Sequence, residues 1–247
     1  MGFALVVLII VIIGSLLQRV SGMGLGLVAG PILTLLLGPV EGILVLNILA
    51  AINAVFITIN VRKHIEWKKC ALIGSVLILG AIPGAWLITQ VSTSLLQLLV
   101  GLLLLVALAL VVFGAAYLPP ARGKIPAIVA GIAGGFMNTL AGVAGPAITV
   151  YAQASKWDQQ RFAATLQPIF VISGLVSFIV KIVSGAGTIS QISAWVWILG
   201  VAGMFIGISL GARASRIVSR THARKLALLL ATGGGVSAVV RGLVGIL

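Results

Sequence analysis

The chain has 247 residues, 61% of them hydrophobic and 8% charged, with a formal net charge of +13 and a mean hydropathy of +1.28. Soluble domains carry roughly 25% charged residues, so a chain this apolar cannot clothe a water-facing surface, and lipid must be its solvent. The positive excess does not point to nucleic acid, because Lys and Arg fall in short clusters between apolar runs, as the positive-inside rule produces.

Nine apolar stretches follow one another, at roughly 3–17, 23–37, 42–61, 70–89, 95–118, 125–152, 162–180, 192–211 and 226–245. They lack the apolar–polar alternation of a barrel, so they are expected to be helices. No basic segment precedes the first, which therefore reads as a retained membrane helix and not a cleaved signal. A crossing needs about 20 apolar residues, and the first two stretches are short of that. The sixth is long but interrupted by Gly134-Gly135, Asn138, Gly142 and Gly145-Pro146, and it reads as two short segments. Ten helical pieces result. Gly233-Gly234-Gly235 interrupts the last pattern, where close helix packing is the plain reading. Cys70 is the single cysteine, so no intrachain disulfide forms.

Four loops gather the charge. They hold Arg62, Lys63, Lys68 and Lys69; Arg122 and Lys124; Lys156 and Arg161; and Arg213, Arg216, Arg220, Arg224 and Lys225. Alternation of the pieces puts all four on one side, with thirteen of the sixteen basic residues. That side should be cytoplasmic and both termini external, in a multi-pass protein of the inner (plasma) membrane. Membrane lipid is the expected surrounding partner, and the basic loops suit anionic head groups. Assembly as a homo-oligomer stays open.

The chain also repeats itself. Gly22-Met23-Gly24-Leu25-Gly26 parallels Gly142-Val143-Ala144-Gly145-Pro146, Leu46-Asn47 parallels Ala164-Thr165, and Gly80-x-x-x-Gly84 parallels Gly203-x-x-x-Gly207, at offsets of 120, 118 and 123. Each half holds five pieces, an odd number, so residues 124–247 should form a second membrane repeat inverted relative to residues 1–123. Inverted repeats recur in secondary transporters, with the substrate at the repeat interface near the midplane.

The two glycine-rich stretches are the strongest local signals. Ser21, Gly22, Gly24 and Gly26 precede Pro31, and Asn138, Thr139, Gly142 and Gly145 form the partner set. Glycine lets backbone turn sharply and approach a ligand, and a new half-helix offers free N–H groups to an anion. Close helix packing is the competing reading for either stretch alone; their matched places favour a site. Arg19 sits just before the first stretch, either as a partner for an anion or as a side chain reaching the interface. Asn47, Asn53, Thr165 and Gln167 are polar residues within apolar runs, and they either donate to a ligand or bond between helices. The only acids, Glu41, Glu66 and Asp158, lie in or beside loops. Without a membrane carboxylate, an anion is favoured over a cation, and an inside-negative potential drives it outward. His64 and His222 lack metal-ligand spacing, and no cofactor or catalytic set is expected.

The Gly22-x-Gly24-x-Gly26-x-x-x-x-Pro31 stretch, its partner Gly142-x-Ala144-Gly145-Pro146, the Ile65-Glu66-Trp67 end of the basic loop and Gly80-Ala81-Ile82-Pro83-Gly84-Ala85 occur in this order along the chain. In this the chain resembles the sulfite exporter TauE/SafE family over essentially its whole length. The resemblance implies a membrane transporter of sulfite, organosulfonates or related sulfur-containing anions, with the glycine motifs at the positions named. Ala144 stands where that pattern has glycine, and Thr149-Val150-Tyr151 replaces the Gly30-Pro31 ending, so the two half-sites are not equivalent. The competing functions are a transporter of another small solute or a cation, and an intramembrane enzyme. Both His lying in loops and the absence of paired acids disfavour the enzyme.

Overall fold

A computed structural model describes residues 2–22, 24–113, 120–190 and 192–247. Met23 of the first glycine motif and the end of the fifth apolar stretch, 114–118, lie outside the described residues. Among the described residues there are ten α-helices and no strand: α1 Gly2–Ser21, α2 Leu25–Leu37, α3 Pro39–Val61, α4 Trp67–Gln90, α5 Thr93–Phe113, α6 Ile125–Ala141, α7 Gly145–Ala154, α8 Gln159–Val183, α9 Ala194–Ala214 and α10 Arg220–Val244. The protein is an all-α polytopic membrane protein. Six of the helices, α3, α4, α5, α8, α9 and α10, are long and apolar enough to cross a bilayer.

The interrupted sixth stretch is indeed two helices, α6 and α7. The first helix differs from expectation: it continues through Gln18, Arg19 and Val20 to Ser21, because polar side chains do not end a helix whose backbone can still bond, and Gly22 N–H closes it on the Gln18 carbonyl at 2.8 Å. Nor does Gly233-Gly234-Gly235 break α10, which runs on to Val244. There Gly234 abuts Pro31 and Gly235 abuts Leu105, so missing side chains serve close packing.

The helices pack through small residues, as lipid-embedded helices must when apolar burial gives no drive of its own. α1 runs parallel to α9, and a methyl on Gly207 would lie 2.5 Å from the Ile12 carbonyl oxygen. α6 runs parallel to α4 in the same way, with Gly80 against the Ile132 carbonyl. Ile12 and Ile132 are 120 positions apart, and Gly80 and Gly207 are 127 apart. The contacts thus match Gly80 with Gly207, one helical turn from the Gly203 that motif spacing alone selects. α3 crosses α8 at Gly174, against the Asn47 carbonyl, and α5 crosses α10 at Gly101, against Gly235.

Large apolar side chains cover the outside, among them Trp86, Phe113, Trp195 and Leu229, an apolar belt suited to lipid. Trp67 and Trp86 are both exposed at opposite ends of α4. Nineteen residues separate them, a rise of about 28 Å at 1.5 Å per residue, which matches a hydrocarbon core of about 30 Å flanked by aromatic anchors.

The four basic loops gather at one end. Ala121 N–H bonds the Ala154 carbonyl at 3.0 Å, the Trp157 indole N–H bonds Glu66 Oε1 at 2.6 Å, and His64, Gln159, Arg220 and Arg224 share one vestibule. Glu66 anchors this end: Lys69 pairs with it at 3.1 Å and lies over the Trp157 ring. Burial works to raise the Glu66 carboxyl, but hydrogen bonds from Lys69 and Trp157 and the charges of Lys69 and Arg161 together hold it below its ordinary value.

Candidate functional site

Both helix breaks are built by glycine. After α1 the chain turns at Gly22, with φ +84°, and α2 restarts at Leu25, whose N–H donates to Gln18 Oε1 at 3.2 Å. After α6 it turns at Gly142, with φ +69° and its N–H on the Asn138 carbonyl at 2.9 Å. That left-handed geometry is open to glycine without the penalty a Cβ would bring. α7 restarts at Gly145, with Pro146 in its first turn, where a missing N–H costs no helical bond.

The two breaks touch. A methyl on Gly26 would lie 2.6 Å from the Gly142 carbonyl oxygen. Around that contact is a cavity of about 40 Å³ lined by both breaks, Gly24 and Gly26 from one and Gly142 to Pro146 from the other. The volume suits a few water molecules or one small polyatomic ion. The N-terminal ends of α2 and α7 both reach it, and such ends carry partial positive charge.

Three amides line the cavity, Gln18, Asn47 and Asn138, and each is hydrogen-bonded in one of two amide pairs. Asn138 Nδ2 donates to Asn47 Oδ1 at 3.2 Å and to the Ser173 carbonyl at 3.0 Å, and Asn47 Nδ2 donates to Ser177 Oγ at 2.8 Å. Gln18 Nε2 donates to Gln167 Oε1 at 3.3 Å, and Gln167 Nε2 donates to the Gly22 carbonyl at 3.2 Å. Gln18 and Asn138 are 120 positions apart, as are Asn47 and Gln167. Each pair joins a broken helix to the long helix crossing beside it. At this offset Asn47 falls on Gln167, two positions from Thr165.

A second cavity, of about 460 Å³, opens toward the basic loops and is lined by Arg19, Arg220, Arg224 and His64. Gln18 lines both cavities, so the Gln18–Gln167 bond stands between vestibule and centre. Neither cavity has an Asp or Glu among its lining residues.

The residues singled out from sequence divide accordingly. Gly24, Gly26, Asn47, Asn138, Gly142 and Gly145 line the central cavity. Arg19, Ser21, Gly22 and Gln167 line the vestibule, because Arg19, in the last turn of α1, projects away from the break, and Gly211 of α9 packs on its stem. Asn53, Thr139 and Thr165 line neither of these cavities. Thr139 turns its hydroxyl to the Gly135 carbonyl, and Thr165 accepts from the Glu66 N–H and donates to the Arg161 carbonyl. Gln18 and Ser173 were not singled out, although both line the centre; the 120-residue offset from Asn138 was the signal for Gln18.

Neither a curated protein nor a solved structure matches the chain. Residues 6–238 match the sequence model described as Sulfite exporter TauE/SafE, and a match over so much of the 247 residues makes the chain a member of that family.

Proposed function

We propose that the protein carries a small sulfur-containing anion, sulfite or an organosulfonate, outward across the inner membrane through the central cavity. The observation that carries this reading is the meeting of two helix N-termini, with the amides of Gln18, Asn47 and Asn138, at one cavity free of acids. An oxyanion gains there from N–H donors and from dipole ends in surroundings of low dielectric. The basic vestibule draws the anion in, and the Gln18–Gln167 bond must open to admit it. Export along an inside-negative potential gains about 2.3 kcal/mol per charge per 100 mV.

In the same reading, residues 1–123 and 124–247 are inverted repeats and both termini are external. The matched pairings α1 with α9 and α4 with α6, and the amide pairs at one offset, support it. Inversion supplies the route to alternating access, since two related arrangements can exchange roles across the membrane.

The test is ligand-induced stabilisation of the purified protein with sulfite, sulfoacetate, thiosulfate, sulfate and taurine, followed by transport of labelled sulfite against nickel in proteoliposomes. A bound anion at 100 times its Kd should stabilise by about 2.7 kcal/mol. Stabilisation by no sulfur-containing anion, or transport of nickel in place of sulfite, would overturn the proposal.

A further inference from the structure

We infer that Lys181 is a second anion-binding station, which the exported anion meets after leaving the central cavity; this rests on the transport reading above. Lys181 is 0% exposed, and its ammonium has no hydrogen-bond partner among the described residues. The charge acting on it is that of Glu41, in the first turn of α3, but the two form no ion pair within 4 Å. A lone buried ammonium costs several kcal/mol. In a membrane protein such a group marks a solute path unless something pairs with it.

The position of Lys181 continues the central site. Ser173, Ser177 and Lys181 follow one another at four-residue steps on α8, and all three are buried, so they stack on one helix face. Ser173 lines the central cavity, and Ser177 accepts from Asn47. The line rises about 12 Å at 1.5 Å per residue, away from the basic end and toward the last turn of α8. There the chain after α8 folds over: Ser184 Oγ and Gly187 N–H both donate to the Lys181 carbonyl, each at 3.3 Å. Gly187 packs on Leu44 and Val40 of α3, where a methyl would approach to 2.7 Å. Lys181 thus lies buried where the chain after α8 turns back on its carbonyl, at the end opposite the basic vestibule.

The fold does not demand this charge. The position 120 residues earlier is Val61, at the end of α3, so the related place in the first half holds an apolar side chain. Burial disfavours the charged amine, so an oxyanion beside it would hold the proton in place and meet three donors and a charge, which the neutral amides of the centre lack. A cation on one side only gives the anion a foothold beyond the centre, while the membrane potential sets the direction of net flow.

The experiment compares wild type, Lys181→Met and Lys181→Arg in proteoliposomes, reading labelled sulfite efflux alongside equilibrium sulfite binding and thermal unfolding. Lys181→Met should lower efflux about tenfold or more, the size of one hydrogen bond to a charged group, while binding at the central cavity stays close to wild type and Lys181→Arg retains most of the rate. Because the substitution removes a buried charge, the Met variant should fold and unfold at a higher temperature. Lys181→Gln provides a second neutral variant should the Met variant not purify. Wild-type efflux in the neutral variant would overturn the inference and leave the transport reading standing. A wild type that neither binds nor carries any sulfur oxyanion would overturn both, and the inactive wild type tells that outcome apart.

Discussion

Asn47 and Asn53 are six residues apart on α3, with 1% and 0% exposure, yet they do different things. At 100° per residue they lie about 120° apart around the helix. Asn47 meets Asn138 and Ser177 and uses both ends of its amide. Neither amide atom of Asn53 has a hydrogen-bond partner among the described residues. An unpaired buried amide costs about 1–3 kcal/mol, whereas a leucine of similar shape has nothing to leave unsatisfied. Asn53→Leu should therefore raise the unfolding midpoint and leave sulfite transport intact. Asn47→Leu should lower both, since it strands the Asn138 amide and the Ser177 hydroxyl. Thermal unfolding with a transport assay checks the pair. Lost transport in a well-folded Asn53→Leu protein would put Asn53 on the solute path.

At the scale of elements, the two breaks depend on backbone lying against backbone. Gly26 is in the first turn of α2, and the Gly142 carbonyl it faces belongs to a turn that cannot rotate aside as a side chain would. Gly26→Ala should force the two tips apart and abolish stabilisation by sulfite, while the protein stays monodisperse in detergent. Gly233→Ala is the control: its added methyl meets nothing within 4 Å among the described residues in the middle of α10, and it should stabilise by about 0.5–1 kcal/mol. A full sulfite shift in Gly26→Ala would mean the tips are not the binding site. The breaks were legible in the sequence because glycine and proline interrupt apolar runs in few ways. Ten segments were legible because apolar length is a strong signal. Which polar residues share the cavity was not, because that depends on how each helix is rotated by its neighbours. Gln18 and Arg19 are adjacent in sequence, yet only Gln18 reaches the centre. Repeat register was likewise beyond short motifs: in a chain this rich in Gly, Ala and Leu, offsets of 118, 120 and 123 all find matches, whereas the helix contacts match Ile12 with Ile132 and Gly80 with Gly207, at 120 and 127.

At the scale of the whole molecule, charge and shape point the same way. The basic loops, the vestibule and the Glu66 anchor share one end. The opposite end holds the buried Lys181. If the positive-inside rule sets the orientation, the vestibule faces the cytoplasm, an arrangement ready to load an anion for export. Cysteine accessibility tests orientation and shape together. Cys70 is the one native cysteine and is buried, so Cys70→Ala gives a silent background. Into it go Ser219→Cys, at the exposed start of α10, and Ala163→Cys, on the vestibule wall. Both should react with a membrane-impermeant thiol reagent in inverted vesicles and not in intact cells. Sulfite should slow labelling at Ala163→Cys, where the anion passes, and leave Ser219→Cys unchanged. Labelling of Ser219→Cys in intact cells would reverse the orientation, and with it the direction in which the Lys181 side of the path leads. Labelling of Ala163→Cys from neither side would instead mean that the vestibule is closed in the membrane, since the buried apolar surroundings of α8 would then shield the thiol from water on both faces.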